Sequence, residues 1–469
     1  MPMNSSSHIA RRTFLRRLGH LSIAGTAAPW AINLAAMGEA AAFNTDGYKA
    51  LVCIFLYGGN DNGNTLIPYD GTSHAEYLRV RGGLATARDQ LAGTALAGGN
   101  LPAGREYALA PQLGPLKNLF DQQRLAVQLN VGPLLQPTTL AQYRTHAVPL
   151  PPKLFSHNDQ QSIWQSSHAE GAVTGWGGNI ADLALAGNGA NAQFTCMSVS
   201  GNAVFLSGDS ALAYQIGTTG PVGINGLVQS DGMFGAAACR EALQRLITQS
   251  RAHLLENELN RVTSRSIGAH ATLSGALGGS AGQFDGWLPD EMDQRPRALN
   301  RQLKMVARLI AARHQLGLKR QVFLVSLGGF DTHDNLLTNH PWLLTQLGQA
   351  MGGFQQALDS LGVGAQVTTF TASDFGRTMT SNGDGSDHGW GSHHFVMGGA
   401  VKGKTFYGTA PTALLGGPED VGQGRLLPTT SVDQYAATLA RWFGVSDGEM
   451  TQIAPNIGRF NQRDLGFMG

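Results

Sequence analysis

Three aspartates stand where chemistry is expected in an α/β protein. Asp61, Asp331 and Asp374 each follow, within a few residues, an apolar segment that is predicted to be a strand. The carboxyl ends of parallel strands meet at one edge of a sheet, where ligands bind. Carboxylates gathered there repel one another unless cations or protons neutralise them. The sequence therefore predicts a metal site at this edge.

Histidines lie close to two of these aspartates in the sequence. His333 follows Asp331 closely, and the segment 386–394 contains two Asp/His ligand candidates and a His-His pair. A mixed Asp/His set suits zinc or a similar first-row ion, although the oxygen ligands leave manganese or calcium open. Two such ions would polarise an ester oxygen and activate a nucleophile. The predicted ligands of one or two divalent ions are Asp61, Asp331, His333, Asp374, Asp387 and His388.

Two further residues are predicted to take part in catalysis. Ser156 lies where a helix is expected to begin, and the free amides of a helix N-terminus favour a phosphate or sulfate group. Its hydroxyl is a candidate nucleophile, with a simple helix cap as the equal alternative, which would leave His157 as an ordinary loop histidine. Arg377, just beyond Asp374, can pair with a substrate oxyanion or with a neighbouring carboxylate.

Each of these segments also has a purely structural interpretation. Gly, Asn and Asp dominate ordinary turns, so residues 58–61 could form a simple turn after a strand. Residues 331–333 could form an Asx-turn, and His393 and His394 could be a solvated pair. Repetition of the same residue types after successive strands favours the functional interpretation.

The elements that position these side chains follow an α/β pattern. Residues 50–57 are a continuous apolar run, typical of a central parallel strand that is buried on both faces. Between residues 299 and 371, helical and strand patterns alternate, which implies a right-handed parallel crossover. Ser431 opens a capping box for a final helix. We predict an α/β fold with a large mixed, mostly parallel sheet sandwiched by helices, with Gly/Ala-rich surface insertions near 83–104 and 266–284.

The first 42 residues have the three parts of a secretory signal. Arg11 and Arg12 are adjacent in a basic stretch, an Ala/Gly-rich apolar stretch follows, and small residues precede a cleavage site predicted near Ala42. The paired arginines indicate the twin-arginine pathway, whose translocase is then a partner during export. Pro29 and several glycines argue against a membrane-spanning helix. The mature α/β domain, residues 43–469, is expected to be periplasmic or secreted, without a stable membrane anchor.

Charge and cysteine content argue against other classes of protein. The net charge is +1, and removal of the first 42 residues, with four arginines and one glutamate, leaves about −2, so there is no basic surplus for nucleic acid. Cys53 is expected to be a buried thiol, which leaves Cys196–Cys239 as the one available disulfide. A redox cofactor enzyme has little support, because no G-x-G-x-x-G follows the first strand and no cysteine cluster or haem motif is present.

Several motifs, in order along the chain, resemble one family of exported bacterial proteins. They are Arg11-Arg12 with Phe14-Leu15, Gly58-Gly-Asn-Asp-Asn-Gly-Asn-Thr65, Phe155-Ser-His-Asn-Asp-Gln160, Thr174-Gly-Trp176, Gly328-Gly-Phe-Asp-Thr-His333, Ser373-Asp-Phe-Gly-Arg-Thr378 and Asp387-His-Gly-Trp390. From the leader to the final helix, the chain resembles the family called domain of unknown function 1501. That family is similar to the alkaline phosphatase and sulfatase superfamily, whose members share a large α/β sandwich and hydrolyse phosphate or sulfate esters with metal ions.

The resemblance implies roles for individual residues. Asp61 matches the first metal-binding aspartate, Ser156 takes the place of the nucleophile, and Asp374 matches the aspartate of a second metal site. The ligands implied for the other metal site are Asp331, His333 and His388.

One position departs from the superfamily pattern. A histidine commonly follows the second-site aspartate, whereas this chain has Phe375. Either Asp387, His393 or His394 replaces that histidine, or only one metal ion binds. We expect an exported metal-dependent hydrolase of small phosphate or sulfate esters. The alternative is a non-catalytic metal-binding or assembly protein with the same fold, which Phe375 favours.

Overall fold

The computed structural model of the chain describes residues 43–228, 236–292, 294–412 and 414–469. The predicted export signal, residues 1–42, lies outside this part. Within the described ranges, no helix has both the length and the hydropathy needed to cross a membrane.

One large sheet organises the fold. The strands are β1 (Lys49–Leu56), β2 (Leu66–Pro68), β3 (Ala95–Leu96), β4 (Tyr107–Leu109), β5 (Leu125–Gly132), β6 (Cys196–Ser198), β7 (Tyr214–Gln215), β8 (Glu291–Met292), β9 (Arg295–Pro296), β10 (Arg320–Leu327), β11 (Val367–Ser373), β12 (Ser392–Met397), β13 (Phe406–Tyr407) and β14 (Thr430–Ser431). Nine of them form one sheet in the order β13-β5-β12-β11-β1-β10-β6-β7, with β14 also paired to β5. Its pairs are parallel except those of β12 with β11 and with β5. The expected α/β class with a large mixed, mostly parallel sheet is therefore confirmed.

β1 is buried at the centre of this sheet because each residue after Lys49 in it is apolar. It pairs in parallel with β10 on one side and β11 on the other. Alternate side chains of a strand point to opposite faces, so β1 contributes to two separate cores. Ala50 and Val52 lie in one core, and Leu51 and Phe55 lie in the other. The sheet is thus covered on both faces.

Helices form the two covering layers. They are α1 (Gly71–Arg81), α2 (Gly114–Asp121), α3 (Leu140–Thr145), α4 (His157–Ser166), α5 (Trp176–Ala184), α6 (Ala237–Thr248), α7 (Leu254–Ala276), α8 (Ala298–Ala311), α9 (Leu336–Ser360), α10 (Val432–Phe443) and α11 (Met450–Ile453). Leu303 of α8 and Leu347 of α9 are buried in the first core. Ile180 of α5 and Leu439 of α10 are buried in the second. The expected sandwich of helices around the sheet is confirmed.

The capping box predicted at Ser431 is also present. The amide of Gln434 donates to the Ser431 hydroxyl at 3.0 Å, and the Ser431 amide donates to Oε1 of Gln434 at 2.9 Å. These two bonds fix the start of α10, which packs in the second core against the sheet.

The two Gly/Ala-rich stretches differ from each other. Residues 83–104 form short 3-10 turns and β3, which joins β2 and β4 in a small antiparallel sheet. Residues 266–276 instead continue α7, and Ala269, Leu273 and Leu277 are buried in the first core. Their spacing of four residues is helical, so part of this stretch belongs to the core although its composition resembles that of a surface insertion.

All three cysteines are free. Cys53 is buried in β1, as expected for a reduced thiol. Cys196 is buried whereas Cys239 is exposed, so the disulfide considered from the sequence is not formed.

Candidate metal centre

The loops that follow β10, β1 and β11 meet at one edge of the sheet. β1 lies between the other two strands and is parallel to both, so the three chains leave the sheet side by side. Gly58 permits the close approach, since its φ is +113° and a Cβ atom there would lie 2.3 Å from the backbone nitrogen of Asp331. The Gly58 amide donates to Oδ2 of Asp374 at 3.2 Å. Glycine at this position therefore connects all three loops.

Asp331 is at the centre of the candidate site. Its Oδ1 atom accepts a hydrogen bond from Arg377 Nη1 at 2.8 Å and lies 3.2 Å from Nε2 of both His333 and His388. Its Oδ2 atom lies 3.4 Å from Nε2 of His157. Partial burial opposes ionisation, but the hydrogen bond from Arg377 holds the pKa of Asp331 below its usual value. The side chain is 43% exposed, so a ligand can reach it.

Each of these three histidines is held by an oxygen at its Nδ1 atom. The pairs are His157 with Asp374 Oδ2 at 2.6 Å, His388 with the Phe155 carbonyl at 2.8 Å, and His333 with Asp387 Oδ1 at 3.2 Å. Carbonyl and ionised carboxylate oxygens only accept hydrogen bonds, so these partners assign the proton of a neutral imidazole to Nδ1 and leave a lone pair on Nε2. Proteins orient metal-binding imidazoles in this way.

The acceptor atoms converge on one place. The Nε2 atoms of His333 and His388 are 2.8 Å apart, and ligand atoms of His157, Asp331 and His388 all lie within 4.8 Å of one another. In the part of the chain that the structure describes, this is the one group of three or more His, Cys, Asp or Glu side chains with such spacing. Lone pairs that face each other repel unless a proton or cation lies between them. Two imidazole nitrogens and a carboxylate, with the Nε2 atom of His333 beside them, suit a first-row divalent ion such as zinc.

Local surroundings set the protonation of two of the histidines. The hydrogen bond with Asp374 raises the pKa of His157, against the opposing effect of partial burial. Desolvation lowers the pKa of His388, in spite of its bond to the Phe155 carbonyl. The ring of Phe375 packs against both imidazoles, with centroids 4.9 and 4.6 Å away. A neutral His388 keeps its Nε2 lone pair available near neutral pH.

Asp374, predicted as a metal ligand, lies behind His157. Its side chain is completely buried, and Oδ2 accepts hydrogen bonds from His157, from Gln161 at 2.7 Å and from the Gly58 amide. Those donors surround Oδ2, so this atom orients His157, whereas Oδ1 is buried without a hydrogen-bond partner among the described residues. The role of Asp374 as a metal ligand stays a prediction. Phe375 occupies the next position with an aromatic ring against the site.

The structure does not bring Asp61, also predicted as a ligand, into the cluster. Its carboxylate is buried, forms an ion pair with the buried Arg81, and accepts a hydrogen bond from the Gly63 amide at 3.1 Å. Arg81 also donates to the Thr378 carbonyl at 2.9 Å. A guanidinium therefore supplies the positive charge that the sequence assigns to a metal ion at this strand end.

The two predicted catalytic residues have partners within the protein. Arg377 is 1% exposed and donates to Asp331 and to the Gly58 carbonyl, so it pairs with a carboxylate, one of its two expected roles. Ser156 occupies the N-cap position of α4, but its hydroxyl donates to Oδ2 of Asp159 at 2.9 Å and caps no amide. The role of Ser156 as a nucleophile stays a prediction.

Three residues were candidates to replace the histidine that Phe375 displaces. Asp387 contacts Nδ1 of His333 and accepts a hydrogen bond from the Asn382 side chain at 2.9 Å. Its carboxylate therefore lies on the far side of the His333 ring from the converging Nε2 atoms. His393 and His394 are inside β12, where burial lowers their pKa values to about 4 and about 3. Both are neutral core residues, and neither belongs to a solvated pair.

One family model matches part of the chain. Residues 236–456 match the model of the family described as protein of unknown function (DUF1501). The match covers 221 of the 469 residues, a little less than half of the chain. The DUF1501 region includes Asp331, His333 and His388, whereas Ser156 and His157 precede it. A search of curated proteins finds no match.

Solved structures are similar only at a low level. The lipoteichoic acid synthase LtaP from Listeria monocytogenes has 9% identity and a TM-score of 0.35, covering 88% of this chain and 76% of that one. Ps i-CgsB, in complex with k-i-k-neocarrahexaose, has 9% identity and a TM-score of 0.34, covering 89% and 78%. A structure from work on glycosaminoglycan metabolism by Bacteroides thetaiotaomicron has 10% identity and a TM-score of 0.34, covering 86% and 74%. Similarity at this level does not assign chemistry to the site.

Three residues that hold the candidate ligands in place, His157, Gln161 and Arg81, are not among those that the sequence predicts. His157 follows Ser156 in a recognised motif, and Gln161, four residues later on the same face of α4, shares its partner Asp374. This i, i+4 spacing could have indicated that both side chains contact the same group. The sequence contains no comparable indication for Arg81, because its pairing with Asp61 depends on where α1 packs.

Proposed function

We propose that the protein is an exported, metal-dependent hydrolase of phosphate or sulfate esters that holds one divalent ion beside Asp331. The supporting observation is the convergence of three Nε2 atoms, from His157, His333 and His388, on this carboxylate. An ion bound there would supply Lewis-acid polarisation of an ester oxygen. The class of ester is supported by the resemblance of the chain to the DUF1501 family, which is similar to the alkaline phosphatase and sulfatase superfamily.

The surrounding side chains have separate tasks in this proposal. Arg377 offsets part of the charge of Asp331 and fixes its Oδ1 atom. Ser156 precedes His157, and Asp159 Oδ2, 2.9 Å from its hydroxyl, is placed to accept the proton of that hydroxyl. Asp159 is buried, so its position is fixed with respect to Ser156. Ser156 is the candidate nucleophile on these grounds.

Metal analysis combined with ester turnover tests the proposal. The purified protein should contain about one zinc or similar ion per chain and should hydrolyse aryl phosphates or aryl sulfates. The His388→Ala variant should lose both metal and turnover, because it removes a converging nitrogen. His314→Ala, which changes an exposed histidine, is the matched control and should behave like the unmodified protein. Stoichiometric metal in His388→Ala would contradict the proposed site.

A second candidate is a non-catalytic metal-binding or assembly protein. It is favoured by Arg377, which is buried against Asp331 and the Gly58 carbonyl and so has no open position for a substrate oxyanion. Stoichiometric metal without turnover of any aryl phosphate or sulfate would support this second candidate against the first.

Export through the twin-arginine pathway is part of the proposal and is supported by the sequence of residues 1–42. Changing Arg11 and Arg12 together to Lys should leave the protein in the cytoplasm of a bacterial host. Cell fractionation with an antibody against the chain measures this. A variant that still reached the periplasm would contradict this route of export.

A further inference from the structure

The proposed hydrolase needs a cation for the oxyanion of its ester, and Arg377 is not free to serve. Its Nη1 atom donates to Asp331 and the Gly58 carbonyl, and its Nε atom donates to the Ser386 carbonyl at 3.1 Å. With 1% of its surface exposed, it is part of the frame that holds Asp331. Any positive side chain that contacts the substrate beside the metal ion must therefore be a different one.

Arg425 is fixed beside the same cluster. Its Nε atom donates to the backbone carbonyl of His388 at 2.7 Å. Its guanidinium carbon lies 5.2 Å over the ring of Phe155, the residue whose carbonyl holds Nδ1 of His388. Two contacts thus place Arg425 next to a candidate metal ligand and to the loop that contains Ser156.

The terminal nitrogens of Arg425 remain available. Among the described residues, Nη1 contacts the Gly422 carbonyl at 3.4 Å and no carboxylate forms a hydrogen-bonded ion pair with Arg425, although its charge contributes to the lowered pKa of Asp387. The side chain is partly exposed. A planar guanidinium edge matches two oxygens of a phosphate or sulfate group, which a lysine would meet only as a point charge.

We infer that Arg425 binds the tetrahedral oxyanion of the ester at the metal centre, in the role that the sequence offers to Arg377. This inference rests on the proposed function, because the anion is placed next to His388. Its ligand class is a phosphate or sulfate group with at least two free oxygens.

Calorimetry of anion binding tests the inference. The protein is loaded with one equivalent of Zn²⁺ and titrated with inorganic phosphate or, separately, inorganic sulfate. In Arg425→Gln the affinity for the preferred anion should fall at least roughly tenfold, the loss expected for a charge-assisted hydrogen bond. Arg425→Lys should lose less, since it retains the charge. The two titrations decide which anion is preferred.

A matched control comes from Arg88. It also lies over an aromatic ring, 4.6 Å from that of Tyr69, and donates its Nε atom to a backbone carbonyl at 2.8 Å. Arg88→Gln should leave anion affinity unchanged, and all three variants should bind zinc like the unmodified protein. Unchanged anion affinity in Arg425→Gln would overturn the inference, and so would a parallel loss of zinc, which would mean that Arg425 only positions His388.

The two proposals fail in different ways. Full zinc binding with unaltered anion affinity in Arg425→Gln removes the inference and leaves the metal centre intact. If the unmodified protein binds no zinc, the proposed function fails, and the same anion titrations on metal-free protein still decide the role of Arg425.

Discussion

Asp61 and Asp331 follow adjacent parallel strands, yet they lie in opposite environments. Asp61 is buried in an ion pair with Arg81. Asp331 is 43% exposed and is approached by three imidazoles as well as by Arg377. A guanidinium never releases its proton in a protein, whereas a neutral imidazole offers a lone pair. The ends of adjacent parallel strands place both carboxylates at the same edge of the sheet. Whether each one is available to a metal ion depends on the side chains that pair with it.

Removing Arg81 should give the largest effect and should act on folding alone. Arg81→Met leaves the carboxylate of Asp61 buried without its partner, which costs about 3–5 kcal/mol of unfolding free energy. Urea denaturation of the metal-free protein measures the loss. The double variant Arg81→Met/Asp61→Asn removes both charges and should recover much of it. If single and double variants were equally unstable, the ion pair would not explain the effect.

Asp331→Asn should affect metal binding more than it affects stability. Zinc affinity should fall by at least about 100-fold, the upper end of the cost of losing a group that merely orients a ligand. Unfolding free energy should fall less than in Arg81→Met, because Asp331 is 43% exposed and Asn keeps an oxygen that can accept from the buried Arg377. Competition with a chelator measures the affinity. Asp334→Asn, which changes an exposed carboxylate of the same loop, is the control, and equal affinities in the two variants would exclude Asp331 as a ligand.

The region around Asp61 contains a buried histidine that should make the stability of the protein sensitive to low pH. His340 is buried there, with Nε2 3.1 Å from Oδ1 of Asn60, and desolvation lowers its pKa from 6.5 to about 4. The unfolded chain therefore binds a proton more readily, so stability is complete above the unfolded pKa and is lost as the pH falls toward 4. This group alone should cost about 2 kcal/mol between pH 7 and 5.

Denaturation curves of His340→Gln and the unmodified protein, both metal-free, isolate this contribution. The histidines and carboxylates around Asp331 titrate in both proteins, so their contribution cancels when the two free energies of unfolding are subtracted. The variant should lose less stability between pH 7 and 5 than the unmodified protein, whatever its absolute stability. Parallel curves would mean that His340 does not carry the acid sensitivity.

The fold could be predicted further than the site because its determinants are local. The apolar run of β1 and the helical spacing of α8 and α9 need no knowledge of distant residues. The site depends on distant contacts, such as that of His157 with Asp374, 217 residues apart. The same limit applies to Asp61, whose position after a strand is evident while its partner Arg81 depends on the packing of α1.

The smallest predicted effect separates a ligand from a group that orients one. Asp387, predicted from the sequence to bind metal, contacts Nδ1 of His333 at 3.2 Å. Asp387→Asn keeps an oxygen acceptor but loses the charge, so zinc affinity should fall about tenfold. Asp384→Asn is the control, because it changes a nearby carboxylate that accepts a hydrogen bond from the Asn335 amide at 3.0 Å and is not bonded to any of the three histidines.

Chelator competition gives three distinguishable results for Asp387→Asn. A loss of about tenfold supports orientation of His333 through its Nδ1 atom. A loss as large as that of Asp331→Asn would make Asp387 a ligand, as the sequence predicts, and would add a second carboxylate to the centre. No loss would mean that His333 needs no oxygen at Nδ1, and the contrast with Asp61 would then rest on His157 and His388 alone.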